Sequence, residues 1–250
     1  MTLYRLRRHP LAVAAHFRHS LVLAYAFPPE ALEPLLAPGL ELDTHEGHAF
    51  AAVAMVQTEQ LRPAGLPRAL GLDFFLCGYR LFVRVRERQS LRGLQILRSD
   101  TDRRTLAISG NLLTHYRWHV VDVTMAETGR RVEIEARTPR GESDLRVRAD
   151  LAAPAALPAG SPFAGLDTAR RFAGPLPYTF DYEPQSRSLV AVRGVRSGWE
   201  PQPVAVEVER VAYLERPPFD GRGILANAFH VADVDYRWGR GRLFGVESPH

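Results

Sequence analysis

Apolar and polar positions along the chain alternate more often with period two than with period 3.6, so strands dominate the reading. Leu21 to Phe27 is an apolar run long enough for a buried strand. Pro28-Pro29 ends it and suits the first turn of a short helix, Glu30 to Leu36, which Pro38-Gly39 stops. Leu40 to Asp43 leads through Glu46-Gly47 into a second apolar strand, Ala49 to Thr58, and then into a Pro/Gly-rich loop, Arg62 to Gly71. From Tyr79 to Arg86 the alternation puts Arg80, Phe82 and Arg84 on one face and Leu81, Val83 and Val85 on the other. Leu91 to Leu97 is placed to pair back as a hairpin.

Ser99-Asp100-Thr101 reads as a cap for a helix over Arg103 to Leu113, where Leu106, Gly110 and Leu113 share a face. Trp118 to Met125 and Arg130 to Thr138 predict two strands joined at Thr128-Gly129; Val132, Ile134 and Ala136 alternate with charged residues, as for a strand with one wet face. Asp150 to Gly165, rich in Ala and Pro, reads as a long surface connection, followed by a short helix around Leu166 to Phe172. Strands return at Tyr178 to Tyr182, Leu189 to Val195, Val204 to Leu214 and Phe229 to Trp238. Tandem repeats and a clean domain boundary are absent from the pattern, so one domain over residues 1–250 is expected.

Composition narrows the chemistry. All 32 residues counted as Lys plus Arg are arginine. Without a lysine side chain there is no lysine Schiff base, no lysine-linked pyridoxal cofactor and no Walker-type phosphate loop. An arginine-for-lysine bias across a GC-rich genome accounts for the absence without any selection on function; the chemical consequence is the same. Net charge is only +4 beside 28 acidic residues. The arginine doublets Arg7-Arg8, Arg103-Arg104, Arg130-Arg131 and Arg170-Arg171 are scattered, which argues against a nucleic-acid-binding face. The single cysteine, Cys77, excludes an internal disulfide, and its apolar run Phe74-Phe75-Leu76-Cys77 predicts a buried, inert thiol. No apolar stretch is long enough for a membrane helix, and Met1 to Pro10 is not followed by a signal-like segment; a cytoplasmic protein is expected.

Several segments together resemble a known family: the strand and proline-bracketed helix Phe27 to Asp43, the loop Arg62-Pro63-Ala64-Gly65-Leu66-Pro67, Tyr79 to Arg84, Asp102 to Leu113, and the terminal Phe229-x-Val231-x-Asp233-Val234-x-Tyr236-x-Trp238. The chain is similar to the YqjF-like family of unknown function (domain of unknown function 2071), a branch of the acetoacetate decarboxylase-like superfamily. The resemblance implies an α+β, β-rich fold: mixed and antiparallel sheets curled into a cone or barrel, with a few flanking helices and a ligand cavity. It implies a small-molecule ligand, and superfamily habit makes a homo-oligomer a candidate. In the decarboxylases an internal lysine, its pKa lowered by a second lysine, forms a Schiff base with a β-keto acid. Carried over one by one, that lysine pair falls on Trp118 and His119, the arginine on Ala26 and a glutamate near Leu76 or Cys77. None is the required residue, so the resemblance implies the scaffold and not the decarboxylation.

The richest remaining cluster is His115-Tyr116-Arg117-Trp118-His119. On a strand, His115, Arg117 and His119 point one way and Tyr116 and Trp118 the other. If the aromatic face is inward, Tyr116 and Trp118 line a cavity. If the polar face is inward, Arg117 holds an anion while His119 or His115 handles protons. The plainer reading is a solvated face over a packed aromatic core. Arg80 and Arg84 are candidates to clamp a carboxylate from inside a closed sheet; otherwise they point outward, paired with Glu59 or Glu87. His16 with His19, and His45 with His48, lack a carboxylate at ligand spacing and read as surface loops, so no metal and no cofactor is expected. Ser109, His115 and Asp122 would make a hydrolytic trio, but no nucleophile elbow supports it, and Gly239-Arg240-Gly241 is a turn rather than a dinucleotide fingerprint. The functions left are an enzyme or a non-catalytic binder of an organic acid or other oxygenated metabolite.

Overall fold

The computed structural model describes residues 3–153, 155–173 and 176–246; Met1 and Thr2, at the start of the basic N-terminal segment, and Pro154, within the Ala/Pro connection, lie outside them. The described chain runs β1 (Val13–Phe27), α1 (Pro29–Leu32), β2 (Leu40–Leu42), β3 (Ala49–Pro63), β4 (Leu72–Val85), β5 (Arg88–Thr101) and α2 (Arg104–Leu113). It continues through β6 (Trp118–Val120), β7 (Asp122–Thr128), β8 (Arg131–Arg137), β9 (Leu145–Asp150) and α3 (Leu166–Phe172). Then come β10 (Tyr178–Glu183), β11 (Ser188–Ser197), β12 (Gln202–Pro203), β13 (Ala205–Val211), β14 (Ile224–Trp238) and β15 (Arg242–Gly245).

Seven of these strands pair in the order β14, β1, β3, β4, β5, β10, β11, and β11 pairs again with β14, so the sheet closes on itself. Every pairing around this ring is antiparallel except β5 with β10. Closure removes the free edges that a sheet of this width would otherwise present. A second antiparallel sheet, ordered β13, β9, β8, β7, lies against the ring.

The ring strands have two buried faces. From β4, Phe75, Cys77, Tyr79 and Leu81 pack with Val132, Ile134 and Val147 of the second sheet in one core. Phe74, Leu76, Arg80 and Phe82 alternate with them and face the interior of the ring. Burial on both faces explains the uninterrupted apolar run Phe74 to Cys77. One end of the interior is filled: Ala24, Ala26, Ala52 and Ala226 leave room for Phe50, Phe82, Phe163 and Phe172, the last residue of α3. No helix among the described residues is long and apolar enough to cross a membrane.

Three local expectations are corrected. Ser99-Asp100-Thr101 is the end of β5, and Arg103 is the N-cap of α2 without a side-chain cap bond. Trp118 to Met125 is two strands in different sheets: β6 pairs with β5, β7 pairs with β8, and Val121 is the break between them. His16 and His19 are on β1 rather than in a loop, where His16 Nδ1 lies 3.0 Å from Asp235 Oδ1 and His19 Nδ1 lies 3.1 Å from His230 Nε2. Among the described residues no group of three or more His, Cys, Asp or Glu is arranged to hold a metal ion.

Candidate functional site

The ring encloses a cavity of about 340 Å³ to which all seven strands contribute. Its wall is mostly apolar, as in ligand pockets generally. All three tryptophans of the chain, Trp118, Trp199 and Trp238, belong to it. Among the described residues no Asp, Glu or Cys does; the charged groups they contribute to the lining are Arg62, Arg80 and Arg196, with His9 their one imidazole.

Arg80 is the outstanding member. Protein atoms enclose it, and the surface it retains faces the cavity. Its Nε is buried with no hydrogen-bond partner, and among the described residues no carboxylate pairs with the guanidinium. Burial pulls its pKa below the ordinary arginine value, while Tyr236, Tyr116 and Cys77 act in the opposite sense. Even so lowered, an arginine stays charged at neutral pH. A buried, unpaired cation is costly, and proteins keep such groups where something binds them.

Tyr236 acts electrostatically on Arg80 and is hydrogen-bonded to the second cavity arginine. Arg196 donates from Nη1 to Tyr236 Oη at 3.4 Å and from Nη2 to the Leu176 carbonyl at 3.3 Å. Its guanidinium stands 5.2 Å from the Trp199 ring and 5.7 Å from the Tyr236 ring, within cation–π range. Burial lowers its pKa as well, offset by Tyr236. Tyr116, which also acts on Arg80, has its Oη 2.7 Å from Thr179 Oγ1, and the His9 ring lies tilted against Tyr116 with 4.6 Å between centroids. Burial, helped by His115, pushes His9 down to about 4, so this imidazole is neutral near pH 7. Arg80, Arg196, Tyr116, Tyr236 and Thr179 thus form one polar pole of donors in an apolar chamber.

The segment after α2 is held from both sides. The Trp118 N–H donates to Asn111 Oδ1 at 2.9 Å, and Asn111 Nδ2 donates back to the Trp118 carbonyl at 2.8 Å. Trp118 Nε1 donates to Thr114 Oγ1 at 3.1 Å, and the indole packs so tightly on Gly110 that a Cβ there would stand 2.5 Å from Trp118 Cδ1.

The sequence-derived candidates divide accordingly. Tyr116, Trp118 and Arg80 line the cavity; His115, Arg117, His119 and Arg84 do not. The 115–117 stretch is not a strand: Arg117 has φ +52° and is exposed. His115 is half-buried with Nε2 unpartnered, its pKa lowered by burial and then by Arg7. His119 is exposed on the outer side, its Nδ1 3.8 Å from Asp100 Oδ1. Arg84 shares the inward face with Arg80, but its partner is neither Glu59 nor Glu87. Its Nε donates to Asp43 Oδ1 at 2.6 Å, and Arg92 Nε donates to Asp43 Oδ2 at 2.6 Å, beyond the aromatic plug. Ser109 spends its hydroxyl on the Leu106 carbonyl of its own helix, and Asp122 begins β7 in the second sheet. Cys77 is buried, its thiol pKa pushed up by burial.

Arg196, Tyr236, Thr179 and His9 were not singled out from the sequence. Tyr236 and Trp238 did carry a signal, as members of the alternating terminal motif.

A family described as an uncharacterized conserved protein (DUF2071) matches residues 14–233. The chain belongs to the DUF2071 family. No curated protein matches its sequence. By structure, this DUF2071 protein is similar to acetoacetate decarboxylase from Legionella pneumophila, with a TM-score of 0.63 at 11% identity over 95% of this chain and 88% of that one. It is similar to an acetoacetate decarboxylase-like enzyme from Sphingomonas wittichii RW1, with a TM-score of 0.61 at 16% identity over 97% and 96%. A third similar structure is the enduracididine biosynthesis enzyme MppR complexed with pyruvate, with a TM-score of 0.59 at 14% identity over 94% and 90%. At these identities the likeness is one of fold, and the DUF2071 chain has the β-rich acetoacetate decarboxylase-like architecture.

Proposed function

We propose that this protein binds a small organic acid inside the ring, with the carboxylate on Arg80, and that it does so without Schiff-base chemistry. The observation that carries the reading is Arg80, its Nε buried without a partner, in a chamber to which the described residues contribute no acidic side chain. A carboxylate supplies the missing counter-charge and accepts the bidentate donation that a guanidinium offers. Tyr116, Tyr236 and Arg196, which line the same cavity, are the further donors of this reading. That two of the similar structures are named for acetoacetate decarboxylase and for a pyruvate complex is in keeping with an acid ligand. Residues from His9 to Trp238 share one cavity, which supports the chain working as one unit.

A second reading, a non-catalytic binder on the same scaffold, draws on the lining itself. Proton transfer would fall to His9 or the tyrosines, because neither His115 nor His119 reaches the cavity. Calorimetric titration with a panel of carboxylates tests the binding. Arg80→Gln is expected to lower affinity at least about tenfold, the scale of a charge-assisted hydrogen bond, and His119→Ala to leave it unchanged. Equal affinity in wild type and Arg80→Gln would overturn the site. Turnover of a bound acid would rule out the second reading.

A further inference from the structure

Resting on that reading, we infer that the ligand is a monocarboxylic acid with an apolar body, seated with its head on Arg80 and its body toward the mouth between Leu11 and Leu72. Among the described residues, the lining donors left without a partner, Arg80 Nε and Trp199 Nε1, belong to the pole around Arg80 and Arg196; the other lining arginine, Arg62, already donates to the Leu66 and Gln60 carbonyls. Beyond them the wall includes Phe17, Phe74, Trp118, Phe229 and Trp238. A second charged or strongly hydrated group on the ligand would lose its water against these rings and find no partner. The apolar character continues outward. Leu11 and Leu72 line the cavity and are 46% and 55% exposed, large values for leucine. Solvent-facing leucines that are also cavity wall mark the way in, and an apolar chain passing between them would be covered along its length.

The pole-and-chamber geometry makes a graded prediction. Each methylene moved from water into such a chamber raises affinity about fourfold. Butanoate to octanoate is then a gain on the order of a hundredfold. Succinate, the size of butanoate but doubly charged, is expected to bind more weakly than butanoate.

Since every tryptophan lies in the wall, intrinsic fluorescence reads occupancy directly. The experiment is a fluorescence titration of the full chain with acetate, butanoate, hexanoate, octanoate and succinate, repeated on Arg80→Gln and Arg80→Met, with near-ultraviolet circular dichroism to confirm packing. The expected result is affinity climbing with chain length, succinate below butanoate, and octanoate weakened tenfold or more in both variants. Arg80-dependent binding that is flat or falls with chain length, or that prefers succinate, would overturn the apolar-body inference and leave the organic-acid reading standing. Absence of Arg80-dependent binding for every acid would overturn both.

Discussion

The guanidinium of Arg80 lies back along its own strand over Gly78, so that a methyl group on residue 78 would stand 2.8 Å from Nε and 2.9 Å from Nη2. Both residues are on the inward face of β4, two positions apart. The missing side chain at 78 is the seat of the charged one at 80. Gly194 serves the Tyr236 hydroxyl in the same way on β11, where a Cβ would overlap it. Gly78→Ala is therefore expected to push the guanidinium out of its seat and weaken acid binding about tenfold, with little loss of stability, because the displaced atoms are the end of a flexible side chain. Titration beside a thermal melt checks this. Unchanged affinity would mean that the seat over Gly78 is not where the anion is held.

Arg80 also makes a prediction that separates binding from folding. A buried ion without a partner is destabilising, and an apolar residue of similar size removes the cost. Arg80→Met is expected to stabilise the ligand-free protein by about 1–3 kcal/mol. For a chain of this length that is a rise in Tm of roughly 2–4 °C per kcal/mol. The same variant loses the ligand. A lower Tm for Arg80→Met would show that the guanidinium has a structural partner in the folded protein.

Arg84 offers the contrast. It shares a strand face with Arg80, yet it is spent on Asp43, which is fully buried between Arg84 and Arg92. Asp43→Ala removes the carboxylate that two cations share. The expected cost is about 3 kcal/mol, less than for a fully buried triad because both arginines keep a quarter to a third of their side chains in solvent. Denaturant unfolding measures it. Binding of the acid is expected to persist at temperatures where the variant remains folded, since the triad lies outside the cavity wall.

That Arg80, Phe82 and Arg84 share one face was legible because β4 follows the period-two rule without interruption, although which way the face points was not. The first half of β1 was not, and its geometry explains why. Phe17 faces inward and so does Ser20, which breaks strict alternation, and the break falls beside Arg18 and His19. On β14 the matching break is at Asp233, whose φ is +55°: Phe229 is inward before it, Tyr236 and Trp238 after it. Because Phe17 still pairs with Val234 and His19 with Ala232, the two strands change phase together. A periodicity count sees only a lost pattern there. The cavity has the same limitation in another form. Arg196 and Thr179 come from β11 and β10, brought to Arg80 by ring closure, and no local spacing encodes which strands close the ring. The division at 115–119 depends on a single backbone conformation, the positive φ of Arg117, which composition does not signal.

Three buried titrating groups set opposing pH limits on stability. Burial pushes His9 and His230 down to about 4, aided by His115 and His19 respectively. As pH falls below about 6.5, the ordinary histidine value, the unfolded chain takes up protons that the folded protein refuses. Stability from these two groups is therefore lost between about 6.5 and about 4, on the order of 2 kcal/mol for His9 and less for His230, which solvent partly screens. Asp181 runs the other way. Its Oδ1 accepts the Tyr182 N–H at 2.8 Å, but Oδ2 is buried without a partner, and burial raises its pKa to about 7 against the pull of that bond, Arg117 and Arg7. The folded protein holds this proton where the unfolded chain has released it, so its contribution falls away as pH rises from about 4 through 7. With two histidines against one carboxyl, stability is expected to climb from pH 4 to about 7 and then to sag slightly toward 8. Melting curves across that range check the shape. Asp181→Asn is expected to abolish the alkaline sag, and His230→Asn to shallow the acid slope. A wild-type Tm that keeps rising past pH 7.5 would show that Asp181 is ionised in the folded protein at neutral pH.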